Sequence, residues 1–495
     1  MKTNTALFLL FTSLLSVLGA KDGLLLSSPE AEGISSTAIV NFVQAVEEQV
    51  DALHSFMLLR HGKIVAQGWW NPYNASTPHM LYSLSKSFTS TAIGLAIAEG
   101  RLSIDDQVIS FFPDETPTQV SDNLKAMRIR DLLAMNTGHQ FDTTGKLWNS
   151  EVASGVAAFL SLPVEHKPGT HFVYNSGATY MLSAIINKVT GTSLLEYLQP
   201  RLFAPLGIDK PKWESDPQGI NFGGWGLYLK TEDIAKFGQL YLQKGWWKGQ
   251  QIVPESWVAA ATSRQTSNGS NPESDWEQGY GYQFWRCRHN IYRGDGAFGQ
   301  YCIVMPDQDA VLAITGGVGD MQKPMNLVWN ILLPAMEESP VVPDFTVAAA
   351  LEKKLLNLGL LPVSGEVGAK YAKSVSGATY VFEQNDQGLK SVSFDMKKNP
   401  SCIVIRDDKG EHVLFSGYGT WVAGTTDFAV DAVQSVAASG AWTASNQYLL
   451  KLCYYETPYV PQFLFQFQDQ EVHLTVHYNV SFGDRKWVEV VGKKL

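Results

Sequence analysis

Met80-Leu-Tyr-Ser83-Leu-Ser-Lys86-Ser-Phe-Thr-Ser-Thr-Ala-Ile-Gly-Leu-Ala96 decides the reading of this chain. The residues after Ser83 predict a helix that is apolar nearly all round, with Leu84, Phe88, Ala92, Leu95 and Ala96 among its buried positions. Such a helix lies inside a domain rather than on its surface. Residues three apart share a helix face, so the Lys86 amine is placed beside the Ser83 hydroxyl. A serine hydroxyl is a weak nucleophile until a neighbouring base takes its proton. A lysine whose ammonium is disfavoured by burial supplies that base. The helix N-terminus adds backbone N–H donors where a negative oxygen would develop. Ser83–Lys86 is the only Ser-x-x-Lys in the chain, in a setting where a solvated surface lysine would be out of place.

A second polar element stands at Tyr174-Asn175-Ser176, after the turn residues Pro168-Gly169. The helical pattern begins near Ala178 and runs to Gly191, which leaves Tyr174 and Ser176 on a loop able to reach a cleft.

Together these elements resemble the β-lactamase/penicillin-binding-protein superfamily of active-site serine enzymes. More narrowly, they resemble the branch holding class C β-lactamases, related carboxylesterases and 6-aminohexanoate-dimer hydrolases. The resemblance implies that Tyr174 helps Lys86 activate Ser83 and relays a proton to the leaving group. Ser176 stands where that branch has Asn. Three further stretches match in order: Ile129-Arg-Asp-Leu-Leu-Ala-Met-Asn-Thr-Gly138, Phe203-Ala-Pro-Leu-Gly-Ile208, and the Gly-rich run from Gly223 to Gly238. The family's third motif, Lys-Thr-Gly or His-x-Gly, is best matched by Gly294-Asp295-Gly296, with Pro306 beyond it. The resemblance makes the N–H of Ala297, with that of Ser83, an oxyanion donor, and places Gly294 and Gly296 at the substrate-binding edge. The motif's cation is missing, which predicts loss of carboxylate recognition. Arg293 is adjacent, but strand neighbours face opposite ways.

The 495 residues are too many for one ordinary domain. A net charge of −10 argues against nucleic acid or anionic membranes as partners. Residues 1–20 read as a signal peptide: a short basic start, an apolar run too brief to span a bilayer, and a small-residue end. This predicts a secreted or periplasmic protein with no integral membrane association. Four cysteines leave disulfides open, Cys287 and Cys302 included. No cysteine has metal-site spacing, His473 and His477 read as solvated strand residues, and no motif asks for a metal or cofactor.

The expected fold is α/β in the α+β sense. Residues 21–340 form an antiparallel sheet flanked by helices, of the β-lactamase/transpeptidase type. Residues 341–365 are a linker, and 366–495 an all-β domain, either a barrel (lipocalin-like) or a sandwich. That tail, with Phe463, Phe465 and Phe467 alternating, is expected to fold separately and to shape substrate access without supplying chemistry. The expected function is an esterase- or amidase-like serine hydrolase acting on a small-molecule or peptide-like substrate. The alternatives are a D-amino-acid peptidase, a β-lactamase, or a catalytically weak penicillin-recognising binding or sensing module. The sequence fixes neither substrate nor oligomeric state.

Overall fold

The computed structural model describes residues 23–148, 154–366, 368, 371–486 and 489–495. The expected leader, residues 1–20, lies outside them. A seven-stranded sheet organises the first part, in the order Leu25–Leu26, Lys63–Trp69, Leu53–Arg60, Ala310–Gly316, Gln300–Met305, Tyr292–Gly296 and Trp285–Arg286. Strands from both ends of this part thus meet at its centre. The sheet is antiparallel except at one edge, where Leu25–Leu26 pairs parallel with Lys63–Trp69.

Period-two alternation divides the central strands between two cores. Met57, Leu59, Cys302, Val304, Val311 and Ala313 face the helical middle of the chain. Phe56, Leu58, Ile303, Met305, Leu312 and Ile314 face the helix Ser36–Gln49 and the helical run 322–335. In the first core the helix Ser85–Ala98 is buried from Ser85 to Ala96, as its composition predicts. Phe88 stacks on Phe237 of the helix Thr231–Leu242 at 3.9 Å. Removing a ring buried this way typically costs about 3–5 kcal/mol.

The stretch 341–365 is more than a linker. Its helix Phe345–Leu356 packs on the helix Ser36–Gln49, and Leu351 and Leu358 belong to the second core. The apolar spacing of that helix gives it a face to bury, so it docks rather than spans.

The last part is a ten-stranded antiparallel meander. Its end strands, Glu411–Ser416 and Val422–Thr426, come together. A bridge between Gly417 and Ser439 and a 2.8 Å hydrogen bond between the Ser416 and Tyr448 hydroxyls nearly close it into a barrel. Phe463, Phe465 and Phe467 all point inward, where Phe394 and Trp442 fill the interior. The barrel also joins the first part across a buried seam of Tyr73, Ala437, Cys453 and Val460. There the Tyr73 hydroxyl donates to Thr457 O (2.9 Å) and Trp421 Nε1 to Leu360 O (3.0 Å).

All four cysteines are free thiols. Cys287 and Cys302 lie in the two different cores, on opposite sides of the sheet, and are not paired. His473 bonds Glu489 (3.0 Å) on the strand Glu471–His477, and His477 is exposed. Among the described residues no helix is long and apolar enough to cross a membrane.

Candidate active site

Ser83 lies in the turn Tyr82–Leu84, which runs directly into the helix Ser85–Ala98. The turn is pinned from two sides. Ser85 Oγ donates to Tyr82 O (2.6 Å) and accepts from Leu227 N (3.2 Å), while Leu81 N donates to Leu227 O (2.9 Å). Tyr82 itself holds a left-handed backbone, φ 47°.

The Lys86 amine is 1% exposed and donates three hydrogen bonds: to Ser83 Oγ (2.9 Å), Ser176 Oγ (2.9 Å) and Gly224 O (2.8 Å). Burial lowers its pKa to about 7, against the pull of the Asp142 and Asp295 charges, which favour the ammonium. A substantial share of Lys86 is therefore neutral near pH 7 and able to accept a proton.

The Gly-rich run delivers the third of these partners. A side chain at Gly224 would be crowded, because its Cβ would lie 3.0 Å from Ser176 O and 3.2 Å from Ser176 Cβ, and it would touch Lys86 Nζ at 3.5 Å.

Tyr174 comes from the loop before the helix Ser176–Thr190. That helix starts at Ser176 rather than near Ala178, because Asn175 caps it by accepting from Ala178 N (3.3 Å). Ser176 is thus a first-turn helix residue rather than a loop residue. Its hydroxyl accepts from Lys86 Nζ (2.9 Å). The 129–138 stretch cradles the loop: Met135 O accepts from Val173 N (3.0 Å), and Met135 Sδ from Asn175 N (3.3 Å).

The Tyr174 ring stacks on Trp285 (5.3 Å), and Lys86 Nζ lies 4.8 Å from its centroid. Tyr174 lines the same cleft as Ser83. Burial pushes the phenol well above its ordinary pKa and the Asp295 charge adds to this, while the Ser83 contact pulls the other way. Tyr174 is therefore neutral and able to donate.

The third motif is placed differently from its sequence reading. Gly294 and Gly296 face the Ser83 turn and helix rather than the cleft. A Cβ on Gly294 would lie 2.5 Å from Ser87 Oγ, and one on Gly296 only 3.1 Å from Ser83 N. Neither position projects anything toward a substrate. Gly296 instead lets the strand approach so closely that the following residue, Ala297, lines the cleft beside Ser83.

Arg293 and Asp295 occupy the other face of the strand. Arg293 is fully buried, donating to Asp295 Oδ2 (2.8 Å), Asp275 O (2.8 Å) and Cys287 Sγ (3.0 Å). It does not take the missing cation's place. Burial raises the pKa of Asp295, and Arg293 offsets part of that rise.

The cleft holds about 720 Å³. Its walls include the aromatic rings of Tyr82, Trp225, Trp276, Trp285 and Phe482 and the carboxylates of Asp142 and Asp295. The sequence reading missed these as site residues. Tyr82, Trp225 and Asp295 sit inside stretches that the sequence singles out. Phe482, on a barrel loop at the far end of the chain, carries no local signal.

The Beta-lactamase family model matches residues 42–318, more than half of the 495, and the chain belongs to this family. The match ends before the barrel begins. The 6-aminohexanoate-dimer hydrolase of Paenarthrobacter ureafaciens is 25% identical over 299 residues, covering 56% of this chain and 75% of that one. A "Putative D-alanyl-D-alanine carboxypeptidase" of Escherichia coli K12 is 25% identical over 210 residues, which are 37% of this chain. The alignment spans only about half of that relative, 48%.

Among solved structures, the "Putative 6-aminohexanoate-dimer hydrolase from Bacillus anthracis" aligns with a TM-score of 0.53 at 20% identity, over 68% of this chain and 88% of that one. The structure named SurE aligns with a TM-score of 0.50 at 17% identity, over 94% of this chain and 100% of that one. At these identities the structural likeness concerns the fold alone.

Proposed function

We propose that this protein is a serine hydrolase working through an acyl-enzyme on Ser83, esterase- or amidase-like rather than a true β-lactamase. The reading rests on one observation above all: a buried lysine amine with its pKa lowered to about 7, 2.9 Å from the Ser83 hydroxyl. Lys86 takes the hydroxyl proton as Ser83 Oγ bonds to the carbonyl carbon of an ester or amide. The N–H groups of Ser83 and Ala297 hold the oxyanion. As the bond to the leaving group breaks, Tyr174 donates the proton that group needs and is reprotonated from Lys86. Water then releases the acid by the same steps in reverse.

Charge in the cleft supports a neutral substrate. Asp142 and Asp295 line it, Lys86 is committed to Ser83, and Arg293 is enclosed behind Asp295. Among the described residues no further cation lines the cleft, so a substrate carboxylate would be desolvated there without one to receive it. The leader-like residues 1–20 support export to a secreted or periplasmic location.

Mass spectrometry after exposure to a fluorophosphonate, a penicillin and a panel of p-nitrophenyl esters tests the reading. The expected result is a covalent adduct on Ser83 from the fluorophosphonate, with ester turnover clearly above that of penicillin. Cephalosporin hydrolysis faster than short-chain ester hydrolysis would overturn the substrate class. Absence of any Ser83 adduct would favour a binding module instead.

A further inference from the structure

Two barrel loops reach the rim of the cleft and grip the residues that flank both backbone donors. Tyr82 precedes Ser83, and Phe298 follows Ala297. Neither is glycine, yet both hold left-handed backbone, at φ 47° and 67°. L side chains rarely adopt that region, and where they do the surroundings must hold them.

The backbone of each turn is bonded within its own domain, Tyr82 O by Ser85 Oγ (2.6 Å) and Phe298 O by Val318 N (2.9 Å), but the side chains are held by the other domain. The Tyr82 and Tyr459 hydroxyls share a 2.6 Å hydrogen bond. The Tyr82 ring stands edge-on to Phe298 (5.6 Å) and to Phe482 (5.5 Å). Phe298 in turn lies 4.7 Å from Phe482 and 6.1 Å from Tyr459. Four aromatic residues, two from each domain, therefore form one cluster around the two turns.

The barrel side of the cluster is anchored. Met80 N donates to Glu456 O (2.8 Å), the Tyr73 hydroxyl to Thr457 O (2.9 Å) and Val460 N to Asn479 Oδ1 (2.8 Å). Tyr459 is thus carried on a segment bonded directly to the strand His79–Met80, which leads into Ser83.

We infer that Tyr459 and Phe482 of the barrel are positioning residues for the reaction proposed above, holding the Tyr82 and Phe298 turns so that the N–H groups of Ser83 and Ala297 converge on one oxyanion. The inference rests on that reading of Ser83. Backbone donors stabilise a developing charge only when they are aimed beforehand, and a misplacement of about 1 Å costs on the order of a hundredfold in rate. The barrel thereby becomes a working part of the acylation step rather than a cover over it.

Full-length Tyr459→Phe, Tyr82→Phe and the double variant test this. Three quantities are read: the rate constant of fluorophosphonate labelling per titrated active site, kcat and KM on a p-nitrophenyl ester, and Tm. Each single variant should lose about tenfold in labelling rate and kcat with KM nearly unchanged, and the double variant should lose no more than either alone. A merely structural hydrogen bond would lower Tm and the number of titratable sites while leaving the rate per site intact. Per-site rates within twofold of wild type in a single variant would overturn the inference. Should Tyr459→Phe fail to fold, Tyr82→Phe removes the same bond from the other side. Ser83→Ala separates the two readings. If it is inert while Tyr459→Phe is wild-type, only the present inference falls; if Ser83→Ala still turns over, the acyl-enzyme reading falls with it.

Discussion

Replacing Gly296 by Ala probes how closely the strand Tyr292–Gly296 must approach Ser83. The backbone at Gly296 does not have the left-handed φ that would itself bar a side chain, so the effect of the methyl is steric. An added Cβ would overlap Leu81 O and lie 3.1 Å from Ser83 N. Both are backbone atoms of a pinned turn and cannot swing aside. Carbon and oxygen settle at roughly 3.3 Å, so the strand must retreat by about 1 Å or more. Ala297 would retreat with it, and a shift of that size at a reacting centre corresponds to on the order of a hundredfold in rate, about 2.7 kcal/mol. Gly294→Ala is the matched control. Its Cβ would meet Ser87 Oγ at 2.5 Å and Leu84 Cδ1 at 2.6 Å, which are side-chain ends able to move. The labelling rate of Ser83 by a small fluorophosphonate, measured beside the circular-dichroism melting curve, should fall about a hundredfold in Gly296→Ala and less than about tenfold in Gly294→Ala. A folded Gly296→Ala enzyme that labels within threefold of wild type would refute the placement of Ala297 as an oxyanion donor.

Four further outcomes follow from the same geometry. Ser83→Ala should abolish both the covalent adduct and ester turnover, seen by intact-mass spectrometry and a p-nitrophenolate assay; removing such a nucleophile typically costs several orders of magnitude. The acid limb of kcat/KM should have its midpoint near pH 7, because Lys86 must be neutral to accept the Ser83 proton and burial lowers its pKa to about 7. The stability sign is set by the same shift. The unfolded chain holds the Lys86 proton up to about pH 10.5, so burying this residue costs most below pH 7, and the cost fades between pH 7 and 10.5. Lys86→Met should therefore be inactive yet melt higher at pH 6, and a lower Tm there would contradict the burial argument. Ser176→Ala removes one acceptor from the ammonium, so the acid limb should move to lower pH in a pH–rate profile. An unmoved limb would mean that Ser176 does not hold Lys86.

The barrel changes how the first domain is understood. Its strands and aromatic interior are expected from alternation in the tail, and Phe482 lines the cleft. The seam at Tyr73, Cys453 and Val460 and the Tyr82–Tyr459 bond go further, since they reach the turn that carries Ser83.

The sequence by itself determined the parts whose information is local. The spacing of Ser83 and Lys86 on one helix puts amine and hydroxyl together wherever that helix lies, and its apolar residues require it to be buried. Alternation over 462–477 determined strands with an aromatic inside, because a period of two leaves no other way to hide Phe463, Phe465 and Phe467. The resemblance to the family motifs implied that Tyr174 belongs beside the pair.

Tertiary structure decided everything that depends on which distant backbones touch. The cationic position of the third motif carries no side chain, and Gly294 faces the Ser83 helix, where the Ser87 and Leu84 side chains crowd it, rather than the cleft. Arg293 looks like a candidate cation in the sequence, but the fold encloses it between Asp295, Asp275 and Cys287. Phe345–Leu356 reads as part of a linker until its apolar face meets the helix Ser36–Gln49. Phe482 and Tyr459 reach Ser83 only because the barrel docks against Tyr73 and Met80. No periodicity or spacing encodes that contact, since it depends on two separately formed surfaces fitting together.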